Sequence, residues 1–345
     1  MSRSPDSEKP GSTPASRIRE IMIAYFTSRA LWTAAELDVA GSLAAGLMPV
    51  SELARRVKAD ASALYRVLRA LASLGIFAED DQGCFRNTEL SELLLKGRPD
   101  SMRDLVLLFG HETAWQSWGA LLHTVRTGET GFDHVYGQKF FDYLAQQPPV
   151  AALFDRAMAS ASSTTNAAMV EAYDFSAVAA VVDVAGGVGA ALCAMLEAAP
   201  ELRGIVFDLP HIRTRAEEFI AHAGFSARCR FVAGSFFESV PTGADLYFLK
   251  HILHDWDDES CNRILRTCLS ACKPQARVLI CERIVPPGNE PSPAKWVDLH
   301  MMLTTHGGRE RTESEFRTLL ERAGFRLARI VPTRSIWSLI EAVPA

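Results

Sequence analysis

Apolar residues recur along this chain with two different periods, and the change from one to the other near residue 177 divides it. From Ile18 the apolar positions Ile18, Ile21, Met22, Tyr25 and Phe26 fall at three- and four-residue steps, which predicts an amphipathic helix running to about Leu43. A short helix is expected over Ser51–Val57. Another starts from Asp60 as N-cap and runs through Leu64, Leu68 and Leu71 to Gly75. IFAED, the turn DQG at Asp81–Gly83 and CFRNT then read as a two-stranded hairpin. Helix, helix, hairpin is the layout of a winged helix. Residues 88–173 remain helical in pattern, broken by the loop Thr127–Gly131. Their aromatics, among them Trp115, Trp118, Phe140 and Phe141, suit either a core or the wall of a pocket.

From Ala177 short apolar strands alternate with helical stretches, the signature of a mostly parallel sheet covered on both faces. Strands are expected near 180–184, 204–208, 229–233, 244–249 and 276–282. Thr312 and Glu315 form a capping box for a helix that stops at Gly324, and FRLARIV with SIWSLIEAV form a closing hairpin. The fold class is therefore α/β: a Rossmann-like domain over 175–345 behind a mostly α-helical, winged-helix-like domain over 17–100. Helices over 101–174 link the two. Residues 1–16 combine Ser, Pro and charge with almost nothing apolar and read as a disordered tail.

Charge narrows the use of the winged helix. The net charge is −5 with no sustained basic run, which argues against a general nucleic-acid or anionic-membrane surface. Residues 1–100 hold thirteen Lys and Arg against thirteen Asp and Glu, and the second helix offers only Arg66 and Arg69. A DNA reader needs more. A packing or dimerisation module is expected instead. No apolar run approaches a membrane span and the N-terminus lacks a signal-peptide core, so a cytoplasmic location is expected. The seven cysteines are scattered without a CxxC pair and read as reduced thiols. Cys261, Cys268 and Cys272 share a helical face and are expected to fill a core rather than bind metal.

VVDVAGGVG, residues 181–189, is an apolar strand ending in a tight glycine turn before a helix. Gly186, Gly187 and Gly189 let backbone N–H groups approach a ligand with no Cβ in the way. A dinucleotide fingerprint wants a third small residue, but Leu192 stands in its place. Asp208 closes the next strand nineteen residues after Gly189, where a carboxylate can take both ribose hydroxyls. A nucleoside ligand without a pyrophosphate fits, and S-adenosylmethionine (SAM) is the commonest.

The runs VVDVAGGVG, FDLP, AGSFFESVP, LKHILHDWDDESCNRIL and GGRERTESEF occur in an order that resembles the small-molecule O-methyltransferases. That family includes plant caffeic acid and flavonoid enzymes and many bacterial antibiotic-tailoring enzymes. The resemblance implies a class I methyltransferase domain, SAM as cofactor, and homodimers formed through an N-terminal winged helix. By it, Gly186, Gly187, Gly189, Asp208, Leu209, Gly234, Ser235, Phe236 and Lys250 surround the cofactor. Ser235 stands where the family usually has an Asp for the adenine amine, and brings a hydroxyl without charge.

His254 follows the strand DLYFLK at the sheet edge where ligands of such folds bind. From spacing alone, HILH supplies two ordinary helical histidines. The resemblance makes His254 the general base, with Glu282 and Glu310 as acidic partners that bond the imidazole and Asp255 in support. It also places Met158, Ser162, Trp256, His300, Met301 and Met302 at the acceptor pocket, with Phe154 nearby in the same segment as Met158. No metal is expected. His306 with His254 and Asp255 is the one alternative, as two histidines and a carboxylate. The expected reaction is SAM-dependent methylation of a phenolic or other aromatic hydroxyl on a natural product. C- or N-methylation, a decarboxylating or hydroxylating relative, and a SAM-sensing DNA-binding regulator are the alternatives.

Overall fold

The computed structural model describes residues 13–345. Thr13 caps the first helix, Pro14–Glu36, accepting the Ser16 N–H, and Pro14 sits in the first turn where a missing N–H leaves no bond unmade. The expected tail therefore ends before residue 16, and its residues 1–12 lie outside the described ones. The helix also stops short of Leu43. Asp38 turns into the left-handed region at φ 54°, pairs with Lys96 at 2.7 Å, and starts a separate four-residue helix, Val39–Ser42.

Helices Val50–Val57 and Ala61–Ala72 follow, the second capped by Asp60 on the Ala63 N–H. The hairpin strands β2 (Phe77–Glu79) and β3 (Cys84–Asn87) form as expected. A two-residue strand, β1 (Met48–Pro49), joins β3 on its other edge and was too short for alternation to reveal. Leu53, Leu64, Leu68, Leu71, Phe77 and Phe85 make the core.

The chain forms two compact units, one reaching Glu112 and including Leu153–Ser160, the other comprising Thr113–Ala152 and Ala161–Ala345. The helical stretch 101–174 is thus shared between them, down to the long helix Pro148–Ala172.

The larger unit is built on β4 (Ala180–Val184), β5 (Arg203–Asp208), β6 (Cys229–Ala233), β7 (Leu246–Lys250), β8 (Arg277–Glu282), β9 (Phe325–Pro332) and β10 (Ser338–Pro344). Their order is β6-β5-β4-β7-β8-β10-β9, parallel except where β10 runs against both neighbours. Successive residues feed opposite faces: Tyr247 and Leu249 join one core with Cys261, Ile264 and Cys268, whereas Leu246 and Phe248 join another with Leu192 and Leu196. The chain winds outward from β4 to β6 and then returns to β7 on the other side of β4. This puts a crevice at the carboxyl ends of β4 and β7, where doubly wound sheets bind ligands. The chain's candidate chemistry converges on that edge.

Candidate active site

The glycine turn leaves β4 with three residues in the left-handed region: Ala185 at φ 58°, Gly187 at 58° and Gly189 at 86°. A Cβ on Gly189 would lie 2.7 Å from Val206, and one on Gly186 would lie 2.6 Å from the Asp183 carboxyl. Above Gly187 there is open space. Asp208, at the end of β5, accepts the Gly187 N–H at 2.8 Å and the Leu209 N–H at 2.6 Å. Two carboxylate oxygens have about four acceptor sites, so room for ribose hydroxyls remains. Gly234 packs flat against Phe207, and Ser235 spends its hydroxyl on the Phe237 N–H at 3.3 Å. Phe236 meets Trp256 edge-on.

Lys250, at the end of β7, donates to Ser162 at 2.9 Å and Asn166 at 3.1 Å. Burial lowers its pKa, against the pull of Asp183. Asp183, buried beneath the glycine turn, is pushed up to about 7 by burial despite Lys250, and its Oδ2 has no partner. Bare backbone, a carboxylate with free acceptor sites and a half-buried ammonium together fit a ligand with a ribose and a charged amino-acid end.

Beside this lies the turn Leu253–Asp255, gripped from two sides. Glu282, fully buried at the end of β8, accepts the N–H groups of Ile252, Leu253 and His254 on one oxygen at 2.9, 3.0 and 3.4 Å. Arg311, also buried, donates to the carbonyls of Leu253 at 2.8 Å and Trp256 at 2.9 Å and to Asp258. With its backbone fixed, the His254 ring places Nδ1 3.1 Å from Oε1 of Glu310 and 3.8 Å from Oε2 of Glu282. Nε2 lies 3.7 Å from Asp255. The two glutamates thus act differently. Glu310 bonds the imidazole, whereas Glu282 chiefly holds the backbone and acts on the ring through its charge.

Burial disfavours the imidazolium, but Glu282, Asp255 and Glu310 overcome it and raise His254 to about 9. Burial likewise pushes Glu282 up, to about 7, against the attraction of His254. A carboxylate at Nδ1 fixes the neutral tautomer with its proton there, leaving Nε2 as the basic atom.

Among the described residues, His254, Glu282 and Glu310 are the only group of three with ligand atoms close enough, within 4.8 Å, for a metal. The guanidinium of Arg283 already supplies the positive charge, 3.0 Å from Glu310. His306 is not in that group; it pairs with Asp133 at 2.8 Å and is half exposed.

The other expected pocket residues divide. His300 accepts the Trp118 N–H at 3.3 Å, and burial with nearby Arg283 lowers its pKa to about 4, which keeps it neutral. Met301 is buried, and Met302 borders a cavity of about 680 Å³ with Thr130, Asp133, Thr305 and His306. Met158 and Phe154 belong to the smaller unit. Asp183, Asn166, Arg283, Arg311 and Trp337 were not anticipated. An acid inside an otherwise apolar strand could have signalled Asp183, but the others meet the site only through long-range folding.

Comparison with known proteins places this geometry. Residues 118–326 match the model of the O-methyltransferase domain and residues 20–97 that of the O-methyltransferase dimerisation domain. The phenazine O-methyltransferase PhzM of Lysobacter antibioticus is 42% identical over 340 residues, covering 98% of this chain and 99% of that protein. The crystal structure of LaPhzM superposes with a TM-score of 0.89 at 41% identity, covering 97% and 100% of the two chains. NcsB1, from neocarzinostatin biosynthesis, was solved with SAM and 2-hydroxy-5-methyl naphthoic acid; it gives 0.77 at 33% identity over 92% and 96%. One relative acts on nitrogen, the 8-amino-8-demethylriboflavin N,N-dimethyltransferase of Streptomyces davaonensis, 31% identical over 97% of this chain and 96% of that one. The chain belongs to the SAM-dependent O-methyltransferase family, with a class I methyltransferase fold and an N-terminal dimerisation domain.

Proposed function

We propose that this enzyme methylates a phenolic or other aromatic hydroxyl of a small natural product, with His254 as general base. The observation that carries the reading is the acidic surround of His254. A phenol of pKa near 10 gives its proton to an ordinary imidazole of 6.5 at a deficit of roughly 3.5 units, close to 5 kcal/mol. Raised to about 9, the imidazole nearly matches the phenol. The same shift leaves few neutral imidazoles at pH 7, so turnover should climb in alkaline solution.

The cofactor supplies an electrophilic methyl group. Gly186, Gly187 and Gly189 would lie along it with bare backbone, Asp208 would take the ribose, and Leu209, Gly234, Ser235 and Phe236 would border the adenine. Lys250, Asn166 and Ser162 would brace the edge nearest β7. Glu310 orients His254 through Nδ1, and Glu282 keeps the turn in place. Trp256, His300, Met301 and Met302 are assigned to the acceptor pocket. Two copies of the chain would pair through residues 20–97.

Methylation of an aromatic amine is the second reading, favoured by the N,N-dimethyltransferase relative. An amine attacks through its free lone pair and needs no prior proton removal, so it makes less use of a raised histidine. A panel of phenols and matched anilines incubated with methyl-labelled SAM, with products weighed and the label located by NMR, tests both. Label on oxygen supports the proposal; label on nitrogen alone rejects it.

A further inference from the structure

Arg283 follows Glu282 at the end of β8. Its Nη1 donates at 3.0 Å to Oε1 of Glu310, the same oxygen that lies 3.1 Å from Nδ1 of His254. The guanidinium carbon sits 3.6 Å from the centre of the Trp337 ring, and the His251 ring stacks on that indole at 3.6 Å with planes 24° apart. Trp337 is 6% exposed, and the turn between β9 and β10 fixes its backbone through Ser335 at 3.2 Å and Thr333 at 2.7 Å. Arg283 Nε and His251 Nε2 are buried without partners, so the stack holds these groups by packing as well as by hydrogen bonds.

We propose that Arg283, held on the face of Trp337, is a positioning residue that limits how tightly Glu310 grips the His254 proton. An oxygen that serves two cations gives less to each, and a fixed positive charge nearby opposes the imidazolium. The groups facing His254 are Asp255 on its own turn, Glu282 and Arg283 from β8 and its end, Glu310 from the loop after the helix Pro293–Thr304, His300 on that helix, and His251 before the turn. Of these His251 and His300 are neutral, the pKa of each lowered by burial. Arg311, the other buried cation on this turn, is spent on the carbonyls of Leu253 and Trp256 and on Asp258, so among the described residues Arg283 is the permanent cation that bonds the carboxylate holding the ring. Without it His254 would keep its proton to still higher pH, and the small neutral fraction at pH 7 would shrink further. This inference rests on His254 acting as the base.

The test is an NMR titration of the His254 ring in the full-length protein with bound S-adenosylhomocysteine, alongside the pH profile of kcat. Arg283→Met should move both the ring titration and the acidic limb of kcat upward by at least half a unit. The fold-loss of turnover at pH 7 should then be at least about twice that at pH 9.5. Arg283→Lys, which keeps the charge, should shift them less. Trp337→Leu should move them in the same direction as Arg283→Met by releasing the guanidinium, and it carries the test if the Met variant does not fold. An unmoved or lowered ring titration, with turnover lost equally at every pH, overturns the inference. If His254→Ala retains turnover, the base assignment fails, yet the ring titration still reports whether Arg283 governs this histidine.

Discussion

His254 is an ordinary residue made unusual by three neighbours of one sign, and its pH behaviour should show it. Its folded pKa of about 9 exceeds the reference 6.5, so the folded state holds the proton more tightly than the unfolded one. That stabilisation is complete below pH 6.5 and is lost as pH rises through 9. Glu282, raised to about 7, has already titrated above that pH. Buried thiols such as Cys261 and Cys281, raised by burial, also lose stability toward pH 9.5, so over pH 7.5–9.5 the imidazole is read from the difference between wild type and His254→Ala. The expected outcome is a melting temperature that falls across this window in the wild type and falls less in His254→Ala, measured by calorimetry. Removing one acid should act in the opposite direction from removing Arg283. Glu310→Gln loses a carboxylate that favours the imidazolium, so the acidic limb of the kcat profile should move to lower pH while kcat at its plateau drops tenfold or more. A limb that stays in place would show that Glu310 contributes no charge to the ring.

At the level of elements, the sheet edge depends on backbone that only glycine supplies. Gly189→Ala places a Cβ 2.7 Å from Val206 at φ 86°, and the strain should lower stability by roughly 1–3 kcal/mol while weakening S-adenosylhomocysteine binding, as read by calorimetry. The helix Glu313–Ala323 is closed by Thr312 and Glu315 in a reciprocal capping box, and Thr312→Ala should cost about 1 kcal/mol in urea unfolding. Elements of this kind were legible because their signals are local. The short apolar runs LYFLK and RVLICE, the Asp60 and Thr312 caps, and the glycine after β4 each act within a few residues. The break at Asp38 was not legible, since an apolar period continues through it and the left-handed turn is tied by distant Lys96. Nor was β1, whose two residues show no alternation.

Across the whole molecule, motif order pointed to His254, Glu282 and Glu310 as a set, and folding brought them within a few ångströms of one another. What the motifs did not reveal was the division of labour between the glutamates, which depends on which oxygen meets backbone and which meets a ring. Arg283 and Trp337 stand 54 positions apart and join the site only because β10 pairs with β8. The first helix leaves Ile18, Ile21, Met22, Tyr25 and Phe26 more than half exposed, an apolar face suited to a second copy. Met22→Glu combined with Phe26→Glu should convert a dimer to a monomer in sedimentation velocity, and a wild type that sediments as a monomer would contradict the pairing. No helix among the described residues is long and apolar enough to cross a membrane. The most direct test of His254 as the base is single-turnover methyl transfer by His254→Ala, using an accepted phenol and labelled SAM, with cofactor affinity measured on the same sample. Transfer should slow by about 10²–10⁴-fold with cofactor affinity unchanged; transfer at the wild-type rate would contradict His254 as the base.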